Sequence, residues 1–245
     1  MKILIIRHGE PDYKHDTLTE KGWREAECLA DHLSEILDGQ QVSFYMSPYG
    51  RAQDTASLTL KRLERTAEVL PWLREFDVRI RRPDSLLKKH IAWDWLPQDW
   101  TREPRFYQAD KWAENERMAA AGVGEEYRKV TEKFDALLAK HGYVREGGYY
   151  RAERPNHDTI VLFCHFGLES VLLSHLWGVS PVAVWQNFCA RTTSITTLVT
   201  EERRKGIAIF RMLAYGETTH LYTHGEPPSF AARFCETFDD DTRHD

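Results

Sequence analysis

Residues Thr159 to Cys164 read Thr-Ile-Val-Leu-Phe-Cys, the strongest strand signal in the chain. A strand with one wet face alternates polar and apolar residues. A strand this continuously apolar is covered on both faces, as in the middle of an α/β sheet. Residues 2–6, with Ile3-Leu4-Ile5-Ile6, repeat the pattern at the start of the chain, and each run ends in the same way. Arg7-His8-Gly9 follows the first and His165-Phe166-Gly167 follows the second. Ligands of open α/β sheets bind at the carboxyl ends of the strands. If both strands are central, the two histidines meet at that edge.

The other segments fit the same class. Thr19 to Leu37 places Trp23, Ala26, Ala30, Leu33 and Leu37 at helical spacing, and Val42 to Met46 is a short strand ended by Ser47-Pro48-Tyr49-Gly50. From Arg51 a second helical pattern runs through Thr55, Leu58, Arg62 and Val69 until Pro71 stops it. Glu125 to Lys140 is a third helix, Gly142 and Gly147-Gly148 mark a turning segment, and Leu168 to Leu176 is a fourth helix. Thr193 to Val199 and Ile207 to Leu213 form a hairpin around Glu201 to Gly206. These elements predict one domain over 1–245, a three-layer α/β/α fold whose mixed sheet is mostly parallel with one antiparallel strand. Residues 79–120 interrupt the rhythm and read as an inserted lid. They carry Trp93, Trp95, Trp100 and Trp112, half of the eight tryptophans, interleaved with Asp94, Asp99 and Glu103. Acidic interleaving suits a small aromatic core better than a base-stacking platform.

Composition narrows the function classes. A net charge of −5 provides no basic footprint for nucleic acid, so an anion site would need a local cluster of Arg and His against the global sign. No apolar stretch is long enough to span a bilayer. Four apolar residues before Arg7 are too few for a signal-peptide core, which predicts a cytoplasmic protein. Cys28, Cys164, Cys189 and Cys235 include no Cys-x-x-Cys pair, which fits a reducing compartment and argues against a zinc knuckle. The acidic tail from Asp239 to Asp245 is expected to fray. Nothing here sets an oligomeric state.

The third strand exit delivers Arg51 at a helix start, where free N–H groups and the helix dipole favour an anion. Arg7, Arg51, His8 and His165 would together suit a tetrahedral, multiply charged group such as a phosphoryl, because guanidinium forks donate paired hydrogen bonds to phosphate oxygens. A metal held by His8 and His165 is disfavoured by the adjacent arginines and the lack of a placed carboxylate. A Cys164-His165 nucleophilic pair fails because neighbours on a strand point to opposite faces.

These residues, with Arg7-His8-Gly9-Glu10, Leu18-Thr19-Glu20-Lys21-Gly22, Ser47 to Ala56, Leu73-Arg74-Glu75 and Cys164-His165-Phe166-Gly167 in order, resemble the histidine phosphatase superfamily, the phosphoglycerate mutase-like group. Gly216 to Phe234 looks like the C-terminal segment of a bacterial phosphatase branch of it. The resemblance implies a phosphatase acting on a small phosphorylated molecule without metal or organic cofactor. His8 would form a phosphohistidine, Arg7, Arg51 and His165 would bind the phosphate, and Glu75 would be the proton donor, with Asp77 and Glu10 as lesser candidates. His165 would be protonated or donating.

Departures from the pattern open alternatives. Tyr13-Lys14 stands where many relatives carry Trp-Asn, so Lys14 either contacts the phosphate or faces solvent. Arg74-Glu75-Phe76-Asp77-Val78 lacks the Glu-Arg-His-Tyr-Gly run of cofactor-dependent mutases, which disfavours a phosphoglycerate mutase-type transferase. A non-catalytic phospholigand-binding protein and a scaffold docking through Trp95 are further alternatives. Arg79, Arg81, Arg82, Lys88 and Lys89 either read a second anionic group or solvate the lid.

Overall fold

A computed structural model describes residues 1–85, 87–229 and 237–239 of the 245-residue chain. Cys235 and the tail beyond Asp239 lie outside the described residues. The main sheet is built from β1 (Lys2–Arg7), β2 (Val42–Met46), β3 (Ala67–Val69), β4 (Tyr143–Glu146), β5 (Tyr149–Ala152), β6 (Thr159–Cys164), β7 (Ile195–Arg204) and β8 (Ile207–Glu217). The helices that pack on it are α1 (Glu20–Ile36), α2 (Gly50–Arg62), α3 (Val123–Lys140), α4 (Phe166–Trp177) and α5 (Pro181–Asn187), with a short α6 (Thr219–Thr223) near the end.

The strand order is β3-β2-β6-β1-β7-β8-β5-β4. β1, β6, β2 and β3 are mutually parallel, and only β7 and β5 run against the other six. The mixed, mostly parallel α/β sheet is therefore as the sequence predicts, but its antiparallel part is a region rather than one strand. The glycines 142, 147 and 148 explain the difference: Gly147 turns at φ +59° and joins β4 to β5 as a second hairpin.

Period-two alternation divides the core between the two faces. Ile3 and Ile5 of β1, with Ile160, Leu162 and Cys164 of β6, pack on the side of α3 and α4. Leu4 and Ile6, with Val161 and Phe163, pack against Leu29, Leu33 and Leu37 of the α1 segment and Ala56 of α2. Thr19 caps α1 by accepting from the Gly22 amide, while Trp23, expected on its apolar stripe, is 37% exposed.

The pattern read as one helix from Arg51 to Val69 divides in two. α2 ends at Arg62, Glu64 takes φ +51°, and Ala67–Val69 turns back as edge strand β3 beside β2. A non-glycine residue in the left-handed region cannot continue a right-handed helix.

Residues 79–120 contain a two-stranded ribbon, Arg79–Ile80 with His90–Ile91, and a series of short helices. Their aromatic core is the predicted one, and it is continuous with the main core. Trp95 packs edge-on against Phe106, and Trp112 against Tyr127 of α3 and Trp185 of α5. No helix among the described residues is long and apolar enough to cross a membrane.

Candidate active site

Register alone brings the three strand exits together. Arg7 pairs with Cys164 and Phe163 with Met46, so the carboxyl ends of β1, β6 and β2 lie side by side. The ladder continues past the strands. The His8 amide donates to the Cys164 carbonyl at 3.0 Å and the Ser47 amide to the Phe163 carbonyl at 2.9 Å. His8 and His165, 157 positions apart in sequence, thus meet with ring centroids 5.1 Å apart, both buried.

Hydrogen bonding determines which nitrogen carries each proton. His8 Nδ1 is 2.7 Å from the Gly9 carbonyl, which can only accept. Nδ1 therefore bears the proton and Nε2 keeps its lone pair. His165 Nδ1 is 3.4 Å from an Arg51 Nη, which can only donate, so its proton lies on Nε2 and is donated to Ser47 Oγ at 2.8 Å. Burial, then Arg7 and Arg51, hold the His8 pKa well below the usual value against the Gly9 bond. Burial, then His8, Arg51 and Arg7, do the same for His165. Both shifts favour the neutral ring, and the one N–H of a neutral His165 points to Ser47.

The arginines flank the pair. Arg7 Nη1 donates to the Ala190 carbonyl at 2.5 Å, and Arg51 Nη1 is 2.5 Å from Asp16 Oδ1. The other oxygen of Asp16 accepts from the Gly50 amide at 2.7 Å, so one carboxylate caps α2 and aims Arg51. Gly50 permits this approach, since a Cβ there would lie 2.1 Å from the Asp16 carbonyl oxygen. The Arg51 guanidinium lies over the rings of Tyr49 and Tyr13, at 4.7 and 5.4 Å. The Nε of both arginines is buried with no hydrogen-bond partner among the described residues. Thr55 ties the elements together: its hydroxyl accepts from the Gly9 amide and donates to the Arg51 carbonyl.

Glu75 closes the other side. Its Oε1 accepts from the amides of Phe76 and Leu168, at 2.8 and 3.0 Å, which seats it on the N-terminus of α4. Burial pushes its pKa up, opposed by the Phe76 amide, Arg7 and the amides of Leu168 and Gly167. Trp93 stands beside it, donating its indole N–H to the Phe76 carbonyl and meeting Phe166 edge-on.

Other candidates lie elsewhere. Glu10 turns to the start of α1, accepting from the hydroxyls of Thr19 and Ser229. Asp77 is exposed and accepts weakly from the Tyr49 hydroxyl at 3.4 Å. Lys14 is exposed. Arg82 neither solvates nor waits for an anion: it is 2% exposed and bonded to Asp84 and Asp94. Arg79, Arg81 and Lys89 line a separate cleft of about 810 Å³ with Arg117. Trp95, 6% exposed with its N–H on the Ala92 carbonyl, offers no docking face. Among the described residues no three His, Cys, Asp or Glu side chains gather as a metal site.

The family model for the histidine phosphatase superfamily (branch 1) matches residues 3–211. The chain belongs to the histidine phosphatase superfamily.

Solved phosphatases share the fold of this histidine phosphatase superfamily member. A mutant phosphoserine phosphatase from Entamoeba histolytica, in complex with phosphoserine, is 18% identical with a TM-score of 0.57, covering 90% of this chain and 98% of its own. A mycobacterial glucosyl-3-phosphoglycerate phosphatase complexed with VO3 is 19% identical at TM-score 0.54, covering 88% and 98%. The α-ribazole phosphatase from Shigella flexneri is 19% identical at TM-score 0.54, covering 89% and 97%. No curated protein sequence matches the chain.

Sequence reasoning misses several residues that shape this site. Ser47, Tyr49 and Thr55 sit inside the quoted Ser47 to Ala56 motif, so their nearness to Arg51 was a usable signal. Asp16 had none, because its partners lie 34 and 35 positions away. Glu169 goes unnoticed in the sequence, where its one signal is a carboxylate set among apolar helix residues. It is buried in the first turn of α4, accepts from Thr196 Oγ1 at 2.5 Å, and is pushed up to about 7 by burial.

Proposed function

We propose that the protein hydrolyses a phosphate monoester of a small molecule through a phosphohistidine on His8, with no metal or organic cofactor. The observation that carries this reading is the His8 tautomer: the Gly9 carbonyl holds the Nδ1 proton and leaves the Nε2 lone pair beside two arginines. His8 Nε2 attacks phosphorus in line as the bond to the alcohol oxygen breaks. Arg7 and Arg51 donate to the equatorial oxygens, where the charge develops, and His165 adds a donor when the bound phosphate dianion raises its pKa and it takes a second proton. Glu75, in its acid form, gives its proton to the leaving alkoxide. Water then attacks phosphorus as the bond to His8 Nε2 breaks, its proton passes to the Glu75 carboxylate, and inorganic phosphate leaves His8 free.

The named substrates of the neighbours support a phosphorylated metabolite as the class and leave the alcohol open. Residues 79–120, which set Trp93 beside Glu75, would act as the lid that selects it. Incubation with 32P-labelled substrate is expected to leave an alkali-stable, acid-labile label on the wild-type chain and none on His8→Ala. Turnover should fall on the order of 10³-fold or more. Full activity in His8→Ala overturns the reading. A panel of phosphorylated metabolites, read by phosphate release, would identify the alcohol.

A further inference from the structure

Glu169 is a buried ionisable group for which the proposed reaction has no task. It is 1% exposed and makes no salt bridge among the described residues, although an unpaired buried carboxylate costs several kcal/mol. Its place in the sheet suggests the reason it is tolerated. Thr196, which donates to it, pairs with Ile5 across β1 and β7. Ile5 and Arg7 point to the same face, so Thr196 is a diagonal neighbour of Arg7, a position where side chains stand about 7 Å apart. Glu75 reaches the same place from the other side, on the Leu168 amide one residue before Glu169. Arg7 thus has a carboxyl toward each side, Glu169 buried and Glu75 half-buried.

The remaining titratable groups facing Glu169 are Cys164 on β6 and Tyr215 on β8, and burial raises both pKa values, so both stay neutral. Arg7 is the cation that both carboxyls feel.

We propose that Glu169 shares Arg7 with Glu75, so that the pair keeps one proton at neutral pH and Glu75 is held available as an acid. This rests on the reading of Glu75 as proton donor. The first carboxyl to ionise is stabilised by Arg7. The second would place two negative charges against one cation out of water, so its proton is retained to higher pH. Glu169 acts through Glu75 and is a positioning residue.

Glu169→Gln tests this, because it keeps an oxygen for Thr196 to donate to and removes the charge. With an alkyl phosphate, whose leaving group needs a proton, the alkaline limb of kcat/KM is expected to move down by about one pH unit, roughly tenfold less activity on that limb. With p-nitrophenyl phosphate, whose leaving group needs none, the limb should stay in place. Glu169→Asp should return it toward wild type. A limb that does not move with the alkyl phosphate, or that moves equally with both substrates, overturns the proposal.

A second readout does not depend on turnover. In a 13C NMR titration of carboxyl-labelled glutamate, with Glu75→Gln assigning the signal, the Glu75 midpoint should fall in Glu169→Gln. An unchanged midpoint overturns the role of Glu169. Failure to find a phosphohistidine in the wild type would instead overturn the function while leaving the coupling to be decided by this titration.

Discussion

A methyl group on Gly167 would stand 2.4 Å from Trp93 Nε1 and 2.7 Å from Glu75 Oε1. Both neighbours belong to the proposed acid side of the pocket, so Gly167→Ala should displace Glu75 rather than unfold the chain. Expected is a fall in kcat of at least about tenfold on alkyl phosphates, with a melting temperature close to wild type; the reverse pattern would mean that the glycine serves packing alone. Asp16→Ala tests the opposite side. Without its carboxylate, Arg51 keeps its charge and loses its aim, and phosphate or vanadate inhibition should weaken by about tenfold, the worth of one charge-assisted hydrogen bond. At this scale the sequence is most legible where a residue ends a strand. Arg7, His8 and His165 each follow an apolar run, and strand ends converge. Asp16 follows no such pattern, because a two-residue ribbon, Pro11–Asp12 with Thr17–Leu18, carries it back over α2.

Among the elements, α6 and residues 224–229 act as a strap across α1. Glu226 pairs with Lys21 and Arg24, and His220, 1% exposed, bonds to Thr193 and stacks at 6.0 Å on His32. Burial first, then His32 and His224, push its pKa down to about 3. In the unfolded chain the same imidazole protonates below about pH 6.5. The stability it contributes is therefore present above that pH and lost as pH falls from 6.5 toward 3. Between pH 7 and pH 5 the loss should be about 2 kcal/mol. Urea unfolding of wild type and His220→Asn at the two pH values checks this, since the variant's stability should fall less by that amount. Glu169 works in the other direction. Its folded pKa of about 7 lies above the unfolded value of 4.5, so its contribution is full below pH 4.5 and lost as pH rises through 7. The elements also show where periodicity misleads. The run from Arg51 to Val69 keeps apolar residues at workable helical spacing, yet β2 leaves an open edge and Ala67–Val69 fills it. A pattern within one segment carries no information about a neighbour's unpaired edge.

For the whole molecule, the aromatic core of the 79–120 segment is continuous with the main core, and one folding unit is the expected consequence. Trp112, 3% exposed between Tyr127 and Trp185, joins its aromatic core to α3 and α5. Trp112→Ala should cost about 3–5 kcal/mol, as large-to-small core changes do, and circular dichroism and activity should be lost in one coincident thermal transition. Two separate transitions would mean that the segment folds independently. Continuity of this kind is not readable from the chain, where prolines and tryptophans mark only a break in rhythm. By itself the sequence determined that the sheet is α/β and mixed, that two histidines and two arginines end or follow its inner strands, and that the net acidic chain concentrates positive charge there. Hydrophobic periodicity and strand punctuation are local properties, and they suffice for that. The tertiary structure alone decided the Arg51 grip of Asp16, the hydrogen-bond partners of the His8 and His165 rings, the second hairpin, and the burial of Glu169 against Thr196. Each of these depends on pairing between segments distant in sequence, on the register that aligns them, and on burial from water, which changes what a charge costs.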